Sequence, residues 1–214
     1  MKIVIIGAGV SGLSTYLLLR KHLPVPAPPA EQHSIQIFET YNTSRGLTHK
    51  DGIHPGAYDQ NANSIGIGGG LGIMGNGLNV LKRLDESLFH DVVRKGHPIH
   101  AFKMSNARGW TLAELPTKTR DDPPVTCVMI ARQALWNALR VNVPDSAIIN
   151  KKVSAVVAKT GQQKNIIQFA DGSPDEEFDL VIGADGLRSV VRRAIFSSSE
   201  DDDQSKDPFP AHYE

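Results

Sequence analysis

The stretch that decides the fold is the N-terminal sequence Lys2-Ile3-Val4-Ile5-Ile6-Gly7-Ala8-Gly9-Val10-Ser11-Gly12-Leu13. Its apolar, β-branched beginning predicts a buried strand, and the helical spacing of apolar residues further on predicts an amphipathic helix. Between the two, Gly7 permits a tight turn, Gly9 leaves room for a diphosphate at the backbone, and Gly12 allows close packing of helix on strand. Val10 and Ser11 open the helix, whose first N–H groups and dipole attract an anion. The stretch therefore predicts a dinucleotide-binding turn.

The same uncharged run, from Ile3 to Leu19, has a weaker interpretation as a secretory signal. Glycines at three positions are difficult to explain in the apolar region of a signal. The single cysteine, Cys127, also rules out an internal disulfide, the usual companion of secretion. We therefore expect a cytoplasmic protein without a transmembrane segment.

A carboxylate follows the next predicted strand, Ser34–Phe38, at Glu39. An acidic side chain at this place can accept hydrogen bonds from the hydroxyls of a ribose and repels a 2′-phosphate. Glu39 lies 27 residues after Gly12, more than the usual gap of about 20, because the proline-rich loop 23–30 lengthens the connection. The competing interpretation is an exposed glutamate at a strand end.

A third motif begins with the apolar strand Leu180–Ala184, continues with Asp185-Gly186 and enters a basic helix predicted over 187–196. Asp-Gly alone indicates only a turn. Here it lies between a buried strand and a helix, with Ser189 and Arg192 at fixed offsets.

Composition excludes several other classes of function. The 214 residues suffice for one domain or two small ones, and 23 basic residues balance 23 acidic ones, so no net charge favours nucleic acid or an anionic membrane. His97 and His100 have a spacing found in metal sites, but Pro98 and a predicted hairpin favour a surface strand. We therefore predict no metal site, and we nominate no catalytic acid or base.

The order of elements predicts an α/β fold with a doubly wound parallel sheet. Its four strands are expected at 2–6, 34–38, 147–150 and 180–184, with helices at 76–84 and 131–141 elsewhere in the chain. A hairpin over 152–170 is expected as an antiparallel crossover layer, and 98–105 with 110–115 as a second hairpin. Residues 40–75 are expected to be irregular loop. Residues near 85–125 are expected to form part of a further antiparallel sheet, and 197–214 an acidic, proline-containing tail.

At this point the chain resembles the class A flavoprotein monooxygenases, which have the aromatic hydroxylase fold. Their sequences pair an N-terminal GxGxxG and a ribose-binding Glu with a later strand that ends in G-A-D-G-x-x-S-x-x-R, as Gly183–Arg192 does here. Between these motifs, residues 68–78 are similar to the family's G-A-G-I…P-N-x-L segment. Residues 130–139 are similar to its H-R-x-x-L…L helix start. The four motifs follow one another in the family's order.

The resemblance implies a Rossmann-like FAD-binding domain of the GR2 type, formed by 1–84 with 126–196, and a partial substrate domain in 85–125. It places cofactor contacts at Gly7, Gly9, Val10, Ser11, Gly12, Glu39, Gly69, Gly70, Arg132, Asp185, Gly186 and Arg192. The glycine turn would hold the FAD pyrophosphate and Glu39 the adenosine ribose. Backbone at Gly69 and Gly70 would lie near the flavin. For Arg132 and Arg192, a solvated helical arginine is the alternative.

The activity implied is that of an NAD(P)H-dependent monooxygenase, which hydroxylates or epoxidises a small organic substrate with O₂ through a flavin C4a-hydroperoxide. The family's later Gly-Asp motif has no counterpart here, and 46–66 reads as an insertion, so the resemblance covers an N-terminal portion. Two alternatives stay open: a truncated, catalytically incompetent nucleotide-binding fragment, and a flavin reductase similar to the geranylgeranyl reductases. The sequence does not indicate an oligomeric state.

Overall fold

The computed structural model describes residues 1–28, 32–41, 69–117, 127–159, 161 and 163–197. In chain order the elements are β1 (Lys2–Ile6), α1 (Val10–His22), β2 (Ser34–Glu39), β3 (Gly70–Ile73), α2 (Gly75–Leu84), α3 (Glu86–Lys95), β4 (His97–Ile99), β5 (Ala101–Ser105), β6 (Thr111–Pro116), β7 (Cys127–Ala131), α4 (Arg132–Arg140), a 3₁₀ turn (Asp145–Ala147), β8 (Ile148–Asn150), β9 (Val153–Val157), β10 (Asn165–Phe169), β11 (Glu176–Phe178), β12 (Leu180–Gly183) and α5 (Val190–Ser197). They divide into two compact units, residues 1–57 with 143–214 (the first unit) and 58–142 (the second unit).

The first unit contains the parallel sheet that the sequence predicts. Its strand order is β12-β1-β2-β8, and all three neighbouring pairs are parallel. In the central strand β1, Ile3, Val4 and Ile5 are fully buried, because both faces of the sheet are covered. The fold class, a mixed α/β fold with a parallel sheet, is therefore confirmed.

An antiparallel layer of three strands, in the order β11-β10-β9, also belongs to the first unit. The predicted hairpin of β9 and β10 is confirmed, and the layer includes a third strand, β11, that the sequence did not indicate. Only three residues long and beginning with two glutamates, β11 has a weak strand signal and forms because it pairs with β10.

The sheet and the antiparallel layer share one aromatic core. The ring of Phe38 in β2 meets Phe169 of β10 edge-on at 5.1 Å and Phe178 of β11 at 5.8 Å. Above this core, Lys2 and Lys151 lie over Phe178 and Phe169, and both ammonium groups contact the carboxylate of Glu176. Edge-to-face rings contribute beyond simple area burial, so Phe38 fixes the antiparallel layer against β2.

In the second unit, β7 lies between β3 and β4 in an antiparallel sheet, and β5 with β6 forms a separate hairpin. The expectation of irregular loop throughout 40–75 is wrong over β3, where Leu71 and Ile73 alternate with glycine. Glycine has low strand propensity, so this strand depends on its pairing with β7. The predicted strand over 98–105 is in fact two strands in two sheets, because β4 pairs with β7 and β5 with β6.

Helix α3 is a second correction, since 85–95 was expected to belong to a sheet. Asp85 caps this helix by accepting the N–H of Leu88 at 2.8 Å, and Leu88 and Val92 are buried one turn apart. A capping aspartate followed by apolar residues at i and i+4 was the signal that could have predicted it.

Three predictions are not tested by these elements. The insertion over 46–66 lies outside the described residues, and so does nearly all of the tail expected over 197–214. The division into an FAD-binding domain and a partial substrate domain over 85–125 stays a prediction. The two compact units have different boundaries from these predicted domains. No helix among the described residues is long and apolar enough to cross a bilayer.

Candidate dinucleotide-binding site

The glycine turn between β1 and α1 is held by contacts with two neighbouring strands. Gly7 has a φ of +103°, and a Cβ there would lie 2.5 Å from the carbonyl oxygen of Ala184, just after β12. Its N–H donates to the carbonyl of Phe38, at 2.8 Å. A side chain at Gly12 would overlap the Gly7 carbonyl oxygen and touch Ala184. These two glycines therefore shape the turn.

Gly9 has a different role, because nothing lies within 4 Å of the position that a Cβ would occupy. It precedes α1 in extended conformation, with φ −70° and ψ −176°, which any residue can adopt. Among the described residues no side chain caps α1, and its first turn, with Val10 and Ser11, contains no acidic residue. The first N–H groups of a helix lack intrahelical partners. The backbone at Gly9 is thus an open surface at the positive dipole end of α1, which is the kind of surface that attracts anions.

Glu39 lies beside this turn at the end of β2, and its side chain is buried. One carboxylate oxygen accepts the N–H of Ala8 at 2.6 Å, and the other accepts the N–H of Tyr41 at 3.0 Å. The carboxylate therefore connects the glycine turn to the segment after β2. Each of its oxygens has a second lone pair, so contact with a sugar hydroxyl is compatible with this geometry.

The Asp185 motif forms the start of α5. One oxygen of the Asp185 carboxylate accepts the Ser189 hydroxyl at 2.6 Å, and the other accepts the N–H of Val190 at 2.6 Å. Ser189 in turn accepts the N–H of Arg192, and a guanidinium nitrogen of Arg192 donates to the carbonyl of Leu187. Because of these bonds residues 185–189 cap the helix, so that α5 begins at Val190, three residues later than the predicted start at 187, and ends at Ser197.

Gly186 completes this cap with a φ of +77°, a conformation that favours glycine. The turn is part of the site, because Ala184, immediately before Asp185, is the residue against which Gly7 and Gly12 lie. The structure therefore brings the glycine turn, Glu39 and the Asp185 motif together in the first unit.

The other three predicted contacts, Gly69, Gly70 and Arg132, belong to the second unit. The N–H of Arg132, at the start of α4, donates to the carbonyl of Gly69 at 3.2 Å, and Gly70 pairs with Ala131. Beside them is an open cavity of about 440 Å³, lined by Gly69, Gly70, Lys95, Gly96, His97, Met129, Ile130 and Ala131. The Arg132 side chain is exposed.

Lys95 lies on the rim of this cavity, and its ammonium group forms an ion pair with the Asp91 carboxylate at 2.7 Å. The guanidinium of Arg94 contacts the same carboxylate at 2.6 Å. The hydrogen bond from Lys95 and then that from Arg94 hold the pKa of Asp91 below its usual value. The described residues contain no cluster of three potential metal ligands.

Sequence reasoning missed one polar residue of the site. Asn150, the last residue of β8, donates from its side-chain amide to the main-chain carbonyl of Glu39 at 3.0 Å. The two residues are 111 positions apart, and no local pattern marks Asn150. Only the parallel pairing of β2 with β8 could have indicated it.

A scan against protein-family models found no match. Curated proteins similar in sequence include two monooxygenases. The FAD-dependent monooxygenase cdmI of Talaromyces verruculosus is 30% identical over 133 residues, which are 62% of this chain and 27% of that protein. The 3-amino-4-hydroxybenzoate 2-monooxygenase of Streptomyces cremeus is 25% identical over 200 residues, 91% of this chain and 42% of that protein. The chain thus spans less than half the length of either relative.

Among solved structures, that of Klebsiella pneumoniae HpxO complexed with FAD and uric acid is similar in fold. It superposes with a TM-score of 0.60 at 17% identity and covers 90% of this chain and 41% of the HpxO chain. Sequence and fold therefore agree: the chain is similar to FAD-dependent monooxygenases in sequence and to a structure with bound FAD in fold, and it spans a part of each.

Proposed function

We propose that this chain binds FAD at the glycine turn of the first unit and contributes to an NAD(P)H-dependent monooxygenase. The observation that carries the proposal is the open backbone at Gly9, which lies at the N-terminus of α1 and next to a fixed, buried carboxylate. A diphosphate requires the first feature and a neighbouring ribose uses the second.

Within this site the residues have distinct tasks. Gly7 and Gly12 keep the turn tight, and the first-turn N–H groups at Val10 and Ser11 receive the diphosphate. Glu39 holds the turn through Ala8 and offers its remaining lone pairs to the adenosine ribose. Because donors of α5 already engage the Asp185 carboxylate, we infer that 185–186 contributes to the site through its backbone.

In the second unit, Gly69 and Gly70 leave backbone free of side chains at the cavity rim, which suits the approach of a flat ring system. The exposed guanidinium of Arg132 is available to an anionic part of the cofactor. Bound FAD would supply the redox chemistry, the acceptance of hydride from NADH or NADPH and the activation of O₂, while the protein binds and orients it.

We base the proposed substrate class on the names of the relatives. Both are monooxygenases, and one is named for an amino-hydroxybenzoate. We propose that the reaction is hydroxylation or epoxidation of a small organic molecule and that an aromatic acid is the first class to test.

Binding of FAD is the primary test. The purified 214-residue chain is incubated with excess FAD, passed over a desalting column and examined for the visible flavin spectrum; colourless protein contradicts the proposal. Reversing the charge with Glu39→Lys should weaken FAD at least tenfold, because the variant loses the ribose acceptor and the acceptor of the Ala8 N–H. Glu177→Lys, the same charge change at an exposed position of β11, should leave the affinity within twofold.

Oxygen consumption separates the monooxygenase from the two alternatives. Uptake of O₂ that requires NADH or NADPH and rises on addition of a hydroxybenzoate supports the proposal. Reduction of an alkene without O₂ uptake would indicate a flavin reductase instead. FAD binding without any turnover would indicate an incompetent nucleotide-binding fragment.

A further inference from the structure

Asn150 lies where the edge strand β8 stops following β2. Those two strands pair from Ile37 with Ile148 to Glu39 with Asn150. One residue later the ladder ends, because the N–H of Lys151 donates to the carbonyl of Ile149, at 2.9 Å, and the chain turns away.

The direction of the backbone groups along β2 shows what this ending does to Glu39. Toward β1, the N–H of Ser34 donates to the carbonyl of Met1, and the carbonyl of Phe38 accepts the N–H of Gly7. Because backbone groups alternate in direction along a strand, those of Glu39 point to the other neighbour, β8. In a continued ladder the Glu39 carbonyl would accept the N–H of Lys151, which is engaged elsewhere.

The side chain of Asn150 supplies the replacement donor. Its amide nitrogen lies 3.0 Å from the Glu39 carbonyl oxygen, so the backbone of Glu39 is held on the β8 side although the ladder has ended. From this fixed backbone the Glu39 carboxylate reaches Ala8 at 2.6 Å and Tyr41 at 3.0 Å. A shift of the Glu39 backbone would therefore move both the carboxylate and its contact with the glycine turn.

We propose that Asn150 is a positioning residue for the adenosine-ribose carboxylate, and this inference rests on the proposed binding of FAD at the same turn. Asn150 acts through Glu39 and needs no contact with the cofactor. The loss of its donor should raise the dissociation constant of any ligand that carries the adenosine ribose and the diphosphate, FAD and ADP alike.

The experiment measures FAD and ADP affinity of wild type and Asn150→Ala, each also in a Glu39→Gln background. One neutral hydrogen bond corresponds to about a fivefold change in affinity. We therefore expect Asn150→Ala to weaken both ligands about fivefold in the wild-type background and by less than twofold beside Glu39→Gln. Asn150→Gln, which keeps an amide donor, should restore part of the loss.

Asn165→Ala is the matched control, because Asn165 also donates from its amide to a main-chain carbonyl of the first unit, that of Asp179 at 3.4 Å. It should leave both affinities unchanged. The inference is overturned if Asn150→Ala binds both ligands within twofold of wild type, if its effect is equal in the two backgrounds, or if Asn165→Ala weakens binding as much. Wild-type protein that binds no FAD refutes the proposed function itself, so the two failures are distinguishable.

Discussion

Two glycines of the same turn should respond in opposite ways to the same substitution, Gly9→Ala and Gly12→Ala. At Gly9 a methyl group meets no atom within 4 Å, and the backbone angles suit alanine. Alanine is a poorer N-cap than glycine by about 0.5–1 kcal/mol, but it restricts the unfolded chain by a similar amount. The free energy of unfolding should therefore change by less than about 0.5 kcal/mol.

At Gly12 the same methyl group overlaps the carbonyl oxygen of Gly7, a backbone atom that has no alternative rotamer. Overpacking of this kind costs about 1–3 kcal/mol, and the gain in helix propensity of about 1 kcal/mol offsets only part of it. Because the overlap is with a backbone atom we take the upper end of this range, about 3 kcal/mol, and expect a net loss of about 2 kcal/mol, which lowers the melting temperature of a chain of this size by about 4–8 °C.

The affinity for FAD should respond in the reverse order, with the larger loss in Gly9→Ala. The Gly9 methyl group occupies the space that the diphosphate needs, and the loss of one hydrogen bond to a charged group weakens binding by about 1.5–3 kcal/mol, tenfold or more. Circular dichroism melts measure stability, and quenching of flavin fluorescence measures FAD affinity. Gly9→Ala protein that binds FAD as wild type does, or that melts as early as Gly12→Ala, would refute the assignment of Gly9 to the diphosphate.

Two further predictions concern charged groups. Asp185→Ala removes the acceptor of the Ser189 hydroxyl and of the Val190 N–H. In urea titrations it should therefore lower the free energy of unfolding by about 1–2 kcal/mol. Asp175→Ala, the same change at an exposed position, should leave the free energy of unfolding unchanged. Lys95→Met removes the main cause of the lowered Asp91 pKa, so an NMR titration of the Asp91 carboxyl should show that pKa return toward about 4. In wild type, the stabilisation from this ion pair is present above about pH 4 and is lost as the pH falls through the lowered pKa of Asp91. An unchanged Asp91 titration in Lys95→Met would contradict the assignment of Lys95 as the main cause.

Local patterns in the sequence were sufficient for the elements of the first unit that build the site. The strand–turn–helix of residues 2–22 and the strand ending at Glu39 follow from apolar periodicity and glycine spacing, which act over a few neighbouring residues. The same is true of the strand before Asp185, although the exact start of α5 depended on which side chains cap it.

The second unit was predicted less well, because its strands depend on their partners. The strand Gly70–Ile73 has little propensity of its own and forms against Cys127–Ala131. The division of 97–105 into two strands reflects two different pairings of one apolar stretch. Pairing is a property of distant segments, which a single sequence read locally does not contain.

The sequence by itself therefore determined that a glycine turn opens a helix and that a carboxylate ends the next strand. Only the tertiary structure decided how these parts are fixed. It brings Ala184 against Gly7, directs the Glu39 carboxylate to the N–H of Ala8, and supplies Asn150 from a strand 111 residues away. The physical reason is that backbone conformation and amphipathic spacing are encoded locally, whereas a hydrogen bond between distant residues exists only after the sheet has aligned its strands.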